Sequence, residues 1–275
     1  MESVESESWS DYLLAGRQVL GTRALRAGGG VALEVPGPSS SLGRTMGIGW
    51  ADPVNARLLE RIIGFYRAAR APSTILMIAP QVLPPGWAAL RSRFGIADTE
   101  SAIVKLSGEA RAVADQSKAA HHLDRGLQVG PVLASRAGEW GRAMQLGFMH
   151  DDPRLAQQSA GLSGLPGWRL FAVYEDDDTV ATGSLRVDGA VGHLFDGATL
   201  PSARNRGAKS ALIAARAAAA AEAGCAWVIA EAGAEKPGQH NSSLHNQLRA
   251  GLSAQHQREN WIWENWIWRR SAAPA

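Results

Sequence analysis

The sequence predicts an α/β (α+β) fold made of two related halves in which strands pack against helices. Three observations lead to this prediction. Apolar residues make up 45% of the 275-residue chain and charged residues 20%, enough for one large core or two small ones. The second half alternates strand patterns with two helices that each end at a glycine. The first half repeats part of that order.

Three strands open the second half. Leu170–Val173 and Thr179–Val187 are apolar runs on either side of an acidic turn, and Asp188-Gly189 is a strong signal for a two-residue hairpin turn. A third strand follows from Val191 to Leu200. We therefore expect neighbouring strands joined by hairpins.

Helices and strands alternate after these three strands. The alanine-rich run Lys209–Ala223 favours a helix, and Gly224 stands at its expected end. Ala226–Glu231 predicts a short buried strand, and Ser242–Ala250 predicts a second helix. An aromatic strand near Trp261–Trp268 closes the chain.

A basic turn joins the third strand to the first helix. Arg204, Arg206 and Lys209 crowd this turn, which pivots on Gly207. The unpaired N–H groups of a first helical turn point at one spot, where the helix dipole adds partial positive charge. Glycine lets the backbone approach a ligand without an intervening Cβ. The turn therefore predicts a phosphate site, most naturally one for a diphosphate.

The segment Arg204-Asn205-Arg206-Gly207-Ala208-Lys209 resembles the pyrophosphate loop of the GNAT superfamily of acyl-CoA-dependent N-acyltransferases. The family pattern is Gln or Arg, two residues, Gly, one residue, then Gly or Ala, and Lys209 departs from it at the last position. The resemblance covers roughly residues 130–270, where the order of elements is that of the second half of a GNAT domain. It implies a mixed, largely antiparallel sheet flanked by helices, with acetyl-CoA as co-substrate.

The resemblance also implies which residues bind acetyl-CoA. The backbone of Ala198, Thr199 and Leu200 would hold the pantetheine arm as an added strand. Asn241 and Asn246 resemble family asparagines that hydrogen-bond the cofactor. The diphosphate would be held by the turn and the helix start, which comprise Arg204, Asn205, Arg206, Gly207, Ala208, Lys209 and Ser210.

Many GNAT enzymes use a tyrosine of the later helix to protonate the leaving thiolate. In this sequence Gln247 stands at that position, and the tyrosines lie elsewhere. Solvent, Ser243 or His245 would have to replace the tyrosine in an enzyme. The substitution otherwise indicates a slow or inactive protein.

Three residues are candidates for the general base that an attacking amine requires. His193 comes first, because it resembles the Glu or His base of several GNAT enzymes and imidazole titrates near neutrality; a partly buried structural histidine is an equal alternative. Asp196 would share a site with His193 only through a β-bulge. Glu231 would open onto the same cleft, although a strand often ends at a charge because the chain becomes solvated there.

The first half predicts a degenerate copy of this organisation. Its element order matches that from Lys209 onward: helix Leu58–Ala71, strand Thr74–Ala79, helix Gly86–Phe94, strand Ser101–Leu106. It has no phosphate turn, and Asp52 would repel a phosphate there. We therefore predict a degenerate GNAT-like half at 1–110, a polar, alanine-rich linker at 111–130 and a GNAT domain at 131–275. One extended α/β domain is a nearly equal alternative.

Charge and composition argue against other classes. A formal charge of +2 does not by itself imply nucleic-acid binding, and no apolar run approaches the about 18 residues of a membrane span. The acidic start is unlike a secretion signal, so we expect a cytoplasmic protein without nucleic-acid or membrane partners. Cys225 is expected to be a small core residue. His121, His122 and Asp124 might suggest a metal site. Adjacent histidines on one element point apart, however, and no further ligand cluster is nearby, so we expect no bound metal.

The tail from Glu259 to Trp268 repeats the unit Glu-Asn-Trp-Ile-Trp. A five-residue shift turns the second tryptophan pair to the opposite strand face, because side chains alternate with period two. We favour a closing strand buried on both faces. The alternative is an aromatic wall for an acceptor, or a homodimer surface.

These observations together predict an acyl-CoA-dependent N-acyltransferase, most simply an acetyltransferase acting on a primary amine of a small molecule. The amine would attack the thioester directly, because no cysteine or serine nucleophile constellation is evident. The alternative is a non-catalytic acyl-CoA-binding protein that regulates or scaffolds a partner. Gln247 and Lys209 favour the alternative, whereas His193 and the basic turn favour the enzyme.

Overall fold

The computed structural model describes residues 1–120 and 122–265. The chain divides into two compact units. Unit 1 comprises Met1–Ile103 together with the described residues from Gln257 onward, and unit 2 comprises Val104–His256. None of the helices in the described ranges has the length and apolarity that spanning a membrane would require.

Nine α-helices and eleven strands are present in the described residues. The helices are α1 Glu2–Ala15, α2 Arg17–Leu20, α3 Ala56–Ala68, α4 Trp87–Phe94, α5 Ala110–Ala120, α6 Ala137–Gly147, α7 Pro153–Ala160, α8 Ala208–Glu222 and α9 Ser242–Arg249. The strands are β1 Arg23–Ala27, β2 Gly30–Glu34, β3 Arg44–Met46, β4 Ser73–Met77, β5 Ile96–Glu109, β6 Leu127–Pro131, β7 Trp168–Glu175, β8 Asp178–Asp188, β9 Val191–Thr199, β10 Trp227–Gly233 and β11 Ser253–Glu264.

The sheet of unit 1 is closed by a strand from the end of the chain. β1, β2 and β3 are antiparallel neighbours, β3 and β4 are parallel, and β11 pairs antiparallel with β4. Trp261 and Trp263 of β11 are buried in the core beside Tyr66 and Trp87. The predicted burial is therefore confirmed for this tryptophan pair, whereas Trp266 and Trp268 lie outside the described residues.

A buried ion cluster ties α1 to β11 within unit 1. The guanidinium of Arg258, fully buried, donates hydrogen bonds to the carboxylates of Glu2 and Glu5. A buried cation is tolerated when opposite charges and hydrogen bonds replace its water. No sequence pattern predicted this link, because its members are about 250 residues apart in the chain.

The sheet of unit 2 is mixed and largely antiparallel, as the family resemblance implied. β6, β7, β8 and β9 are antiparallel neighbours, and β10 pairs parallel with β9. The parallel pairing runs from Val191 opposite Trp227 to His193 opposite Ile229, and both strands continue beyond that rung. In the described part of the chain no pairing between them follows, so the two strands part and leave a cleft.

The structure differs from the predicted domain boundaries. Most of the predicted linker 111–130 is α5, whose residues Ala110, Val113 and Ser117 are buried, together with β6. Alanines gave α5 the composition of a linker, but their small side chains let it pack closely against α8. The unit boundary lies within β5, after Ile103, and the tail belongs to unit 1.

Candidate functional site

The start of α8 leaves its backbone N–H groups available to a ligand. The helix begins at Ala208, after Gly207 with φ of 84°, and no side chain caps it. Asn205 also has a positive φ, 61°, so the turn curls tightly before the helix. This arrangement concentrates N–H donors and the positive end of the helix dipole at one place.

A cavity of about 640 Å³ lies against this helix start in unit 2. Its walls come from the end of α6, the end of β9, the basic turn with the first turn of α8, and the start of α9. Arg204, Lys209 and Arg249 bring positive charge to its lining. The composition fits an anionic ligand with an extended uncharged arm.

Most of the predicted cofactor residues line this one cavity. They are Ala198, Thr199, Arg204, Asn205, Gly207, Ala208, Lys209, Ser210 and Asn246. Three others, Leu200, Arg206 and Asn241, do not line it. The backbone N–H of Leu200 donates instead to the carbonyl of Val180 at 2.9 Å.

Arg206 is directed away from the cavity by two carboxylates. Its guanidinium donates to Asp124 Oδ2 at 2.8 Å and to Glu175 Oε1 at 2.7 Å. These bonds raise the pKa of Arg206 and lower the pKa of both carboxyl groups. Arg206 therefore anchors the turn to its surroundings rather than presenting its charge to a ligand.

Gly207 is required because the backbone around His122 packs against it. The sequence predicted instead that the glycine makes room for a ligand. A Cβ at Gly207 would lie 1.9 Å from the carbonyl oxygen of His122, and the N–H of Asp124 donates to the carbonyl of Arg206 at 3.1 Å. The segment around His122 thus packs directly on the basic turn. The glycine makes room for protein backbone at this position.

Asn241 caps α9. Its Oδ1 accepts from the N–H groups of Ser243 and Leu244, and its Nδ2 donates to the carbonyl of Gly233 at 2.7 Å. The side chain therefore fixes α9 relative to the end of β10. Asn246, one turn later in α9, lines the cavity.

Asp196 lies in a β-bulge, which was the stated condition for it to share a site with His193. Gly183 pairs with Gly197 and Ser184 with Phe195, so Asp196 is the extra residue, with φ of 39°. The bulge directs Asp196 toward α8, where its charge acts on Lys209 and Arg216.

Arg216 fills the space under this bulge. Its guanidinium donates to the carbonyls of Ser184 and Phe195, each at 3.2 Å, and to the carbonyl of Leu212 in its own helix at 3.0 Å. Burial lowers its pKa to about 10, against the opposing effect of Asp196. The arginine therefore supplies donors to two strand carbonyls beside the irregularity in the β8–β9 pairing.

Lys209 reaches from the helix start to the same bulge. Its ammonium donates to the carbonyl of Gly197 at 2.9 Å. Burial, followed by repulsion from Arg216, lowers the pKa of Lys209 to about 8, while Asp196 acts in the opposite direction. The residue that departs from the family pattern thus places a titratable cation in the cavity wall.

His193 and Glu231 meet where β9 and β10 part. His193 Nε2 lies 2.7 Å from Glu231 Oε2, and Lys105 Nζ of β5 donates to Glu231 Oε1 at 2.5 Å. The side chains of His193 and Lys105 are fully buried, whereas 18% of the Glu231 side chain is exposed. The carboxylate is therefore the member of this group that a substrate can reach.

Gln247 occupies the position of the family tyrosine and is bound to the same strand. Its Nε2 donates to the carbonyl of Glu231 at 3.1 Å, and the side chain is buried. Ser243 and His245 are the two side chains that could replace the tyrosine. Ser243 lines the cavity, whereas His245 lies beside Glu235. An amide has no acidic proton to give a thiolate, so Gln247 has a structural role.

Sequence patterns missed Lys105, Arg216 and Arg249. Lys105 lies inside the predicted apolar strand Ser101–Leu106, and a lysine in such a run needs a buried partner. That signal could have drawn attention to it. Arg216 and Arg249 looked like ordinary helix surface residues.

No protein-family model matches the chain, and no curated protein does. Solved structures match it over most of its length. A GCN5-related N-acetyltransferase from Kribbella flavida covers 94% of each chain with a TM-score of 0.59 at 17% identity. The chain has the GNAT fold. A tandem GNAT protein from the clavulanic acid biosynthesis pathway matches all of this chain and 98% of its own at 13% identity, with a TM-score of 0.59. A GNAT-fold N-acetyltransferase from Sphaerobacter thermophilus covers 88% of this chain and 76% of its own, with a TM-score of 0.60 at 14% identity.

Proposed function

We propose that this protein is an acyl-CoA-dependent N-acyltransferase that moves an acetyl group from acetyl-CoA to a primary amine of a small molecule. The observation that carries the proposal is that the basic turn, the start of α8 and the end of β9 meet in one cavity of unit 2 within a GNAT fold. We also expect the protein to act in the cytoplasm.

The lining of the cavity matches the parts of acetyl-CoA. Free N–H groups of the first turn of α8, with Arg204 and Lys209, suit the diphosphate. The edge of β9 at Ala198 and Thr199 suits the pantetheine amides, because β9 faces no strand on that side beyond His193 in the described residues. Acetyl-CoA supplies the activated acyl group, and the protein positions it.

Glu231 is proposed as the general base. It is the exposed member of its cluster, and a carboxylate there would accept the proton that the amine loses as it attacks. Lys105 and His193 hold the two carboxylate oxygens in place and supply hydrogen bonds, so both are positioning residues. The carbon–sulfur bond breaks as the amide forms, and the thiolate takes a proton from Ser243 or solvent.

Unit 1 is proposed to be a degenerate copy without a cofactor site. At its corresponding turn the N–H groups of Gly49 and Ala51 both donate to the carbonyl of Gly28, and Asn55 caps α3 by accepting from the N–H of Leu58. These three N–H groups therefore already donate to protein acceptors and are not available to a phosphate. Asp52 adds an unfavourable charge.

The non-catalytic alternative retains one specific observation in its favour. Gln247 replaces the usual acid and is buried against β10. A protein that binds acetyl-CoA tightly and releases no thiol in the presence of amines would be the acyl-CoA-binding regulator or scaffold.

The first prediction concerns acetyl-CoA binding to the basic turn. Calorimetric titration of the full chain should show binding that the double variant Arg204→Glu, Lys209→Glu weakens by about 100-fold or more, because two attractions to the diphosphate become repulsions. Arg111→Glu, Lys118→Glu is the charge-matched control, since both residues are exposed on α5 and neither lines the cavity. Equal affinity in all three proteins would contradict the proposed cofactor site.

A further inference from the structure

A cluster of metal-ligating side chains lies on the connection between β10 and α9. It consists of Glu235, His240 and His245. Glu235 Oε1 lies 3.0 Å from His245 Nε2 and 3.7 Å from His240 Nδ1. The two imidazole rings stand side by side, with centroids 4.4 Å apart. Of the three, only His245 had a predicted role in acyl transfer, as one candidate to replace the family tyrosine.

The spacing of this cluster suits one cation. One ligand atom from each residue lies within 4.8 Å of the other two. Tetrahedral Zn²⁺ with bonds of about 2.0–2.1 Å places its ligand atoms about 3.3 Å apart, which falls between the two distances from Glu235. Small rotations of the side chains therefore suffice to bring all three onto one ion.

The backbone holds the ligands in this arrangement. The N–H of Asn241 donates to Glu235 Oε1 at 2.5 Å, and the side chain of Asn241 fixes the start of α9 to Gly233. His240 directly precedes this cap and His245 lies in α9, so both ligands are attached to a fixed helix end.

We propose that Glu235, His240 and His245 form a binding site for a divalent transition-metal cation of the Zn²⁺ type. Two imidazoles and one carboxylate are a recurring zinc ligand set that leaves a fourth position open for water. Mg²⁺ and Ca²⁺ prefer sites made of oxygen ligands, so this cluster discriminates against them. His240 also lines the cavity of unit 2, so a bound cation would lie at the rim of that cavity.

The test uses the full chain after treatment with a chelator. Calorimetric titration with Zn²⁺ should show one site, and Co²⁺ should give the visible absorption of a low-coordinate complex. Glu235→Gln, His240→Ala and His245→Ala should each weaken Zn²⁺ binding by about 10-fold or more. Titration with Mg²⁺ should show no comparable binding.

The control is His150→Ala, because His150 is an exposed histidine outside the cluster. It should bind Zn²⁺ as the unchanged chain does. Circular dichroism of each variant verifies that it is folded before titration. Absence of Zn²⁺ binding, or binding that the three cluster variants leave unchanged, would overturn the proposal. Neither result bears on acetyl-CoA binding, which is measured without metal.

Discussion

The carboxylate of Glu231 is the single group on which the proposed chemistry depends most. Glu231→Gln keeps the size of the side chain and removes the base, so we expect kcat to fall by about 100- to 10,000-fold. Acetyl-CoA affinity should be retained, because Glu231 does not line the cavity. Thiol release in the presence of an amine acceptor measures kcat, and calorimetry measures affinity.

Glu109→Gln is the matched control, since Glu109 is an exposed carboxylate on β5. It should leave kcat unchanged. His193→Gln should lower kcat less than Glu231→Gln does, because it alters only how the base is held. If His193→Gln abolished turnover while Glu231→Gln left it intact, the base would be His193, as the sequence first indicated.

The lowered pKa of Lys209 leads us to predict that cofactor affinity depends on pH. Its pKa is lowered to about 8, so the ammonium is charged below that pH and loses its proton as the pH rises through it. A bound diphosphate favours the charged form and raises this pKa. Affinity should therefore be constant below about pH 8 and then fall, with a slope approaching about tenfold per pH unit.

The measurement is titration with a CoA analogue that lacks the thiol, so that the ligand does not titrate in the same range. Lys209→Met removes the titrating cation and should bind more weakly at pH 7 with little change up to about pH 9.5. Arg204→Met is the comparison, because it removes a cation from the cavity lining but leaves Lys209 in place, so its affinity should still fall above about pH 8. A wild-type affinity that is flat across this range would show that Lys209 does not act on the ligand.

At the scale of elements, local sequence patterns predicted the helices and strands that they define by themselves. They missed the element whose identity depends on contacts with a distant part of the chain. The predicted helix Lys209–Ala223 and strand Val191–Leu200 each lie within a residue of α8 and β9. For the helix, alanine content and a closing glycine indicate the same element. For the strand, the residue pattern and the turn that follows it do so. α5 was interpreted as linker, because an alanine-rich helix shows its buried stripe only when α8 packs against it.

The candidate site likewise has a part that a contiguous motif predicts and a part that only the fold brings together. The residues of the basic turn that face the cavity follow one another in the sequence, and a contiguous motif can be recognised without a structure. Lys105 and Glu231 are 126 residues apart, and only the sheet order brings them together. Arg206 was predicted to bind the ligand because its partners Asp124 and Glu175 could not be known from the turn itself.

The cap of α9 carries a prediction about Asn241, which the family resemblance assigned to the cofactor. Asn241→Ala should lower the free energy of unfolding by about 1 kcal/mol through loss of the cap. It should also weaken acetyl-CoA binding, because Ser242, Ser243 and Asn246 of α9 line the cavity. Chemical denaturation and calorimetry measure the two effects.

Asn241→Asp separates the two roles. Aspartate accepts the same helix N–H groups but cannot donate to the carbonyl of Gly233. If Asn241 acts as a cap, this variant should recover most of the lost stability and affinity. Loss of affinity in Asn241→Asp with stability fully retained would instead indicate direct contact with the cofactor.

At the scale of the whole molecule, the two units resemble each other in element order but differ in what their central turns offer a ligand. The turn of unit 2 ends in a helix without a side-chain cap, whereas in unit 1 Asn55 caps α3 and Gly28 accepts from two turn N–H groups. Val82 packs against the turn of unit 1, because a Cβ at Gly49 would lie 2.7 Å from its Cγ2. A repeated order of elements therefore does not imply a repeated site.

We accordingly expect one acetyl-CoA to bind per chain. Equilibrium dialysis with labelled acetyl-CoA at saturating concentration measures this ratio directly. Arg204→Glu, Lys209→Glu should reduce binding toward zero, because at the turn of unit 1 the N–H groups of Gly49, Ala51 and Leu58 already donate to protein acceptors. Asp52→Asn removes the repelling charge and should leave the ratio at one, since the turn N–H groups would still be occupied by Gly28. A ratio near two, or residual full-affinity binding in the double variant, would show that unit 1 retains a working site and that the proposed degeneracy is wrong.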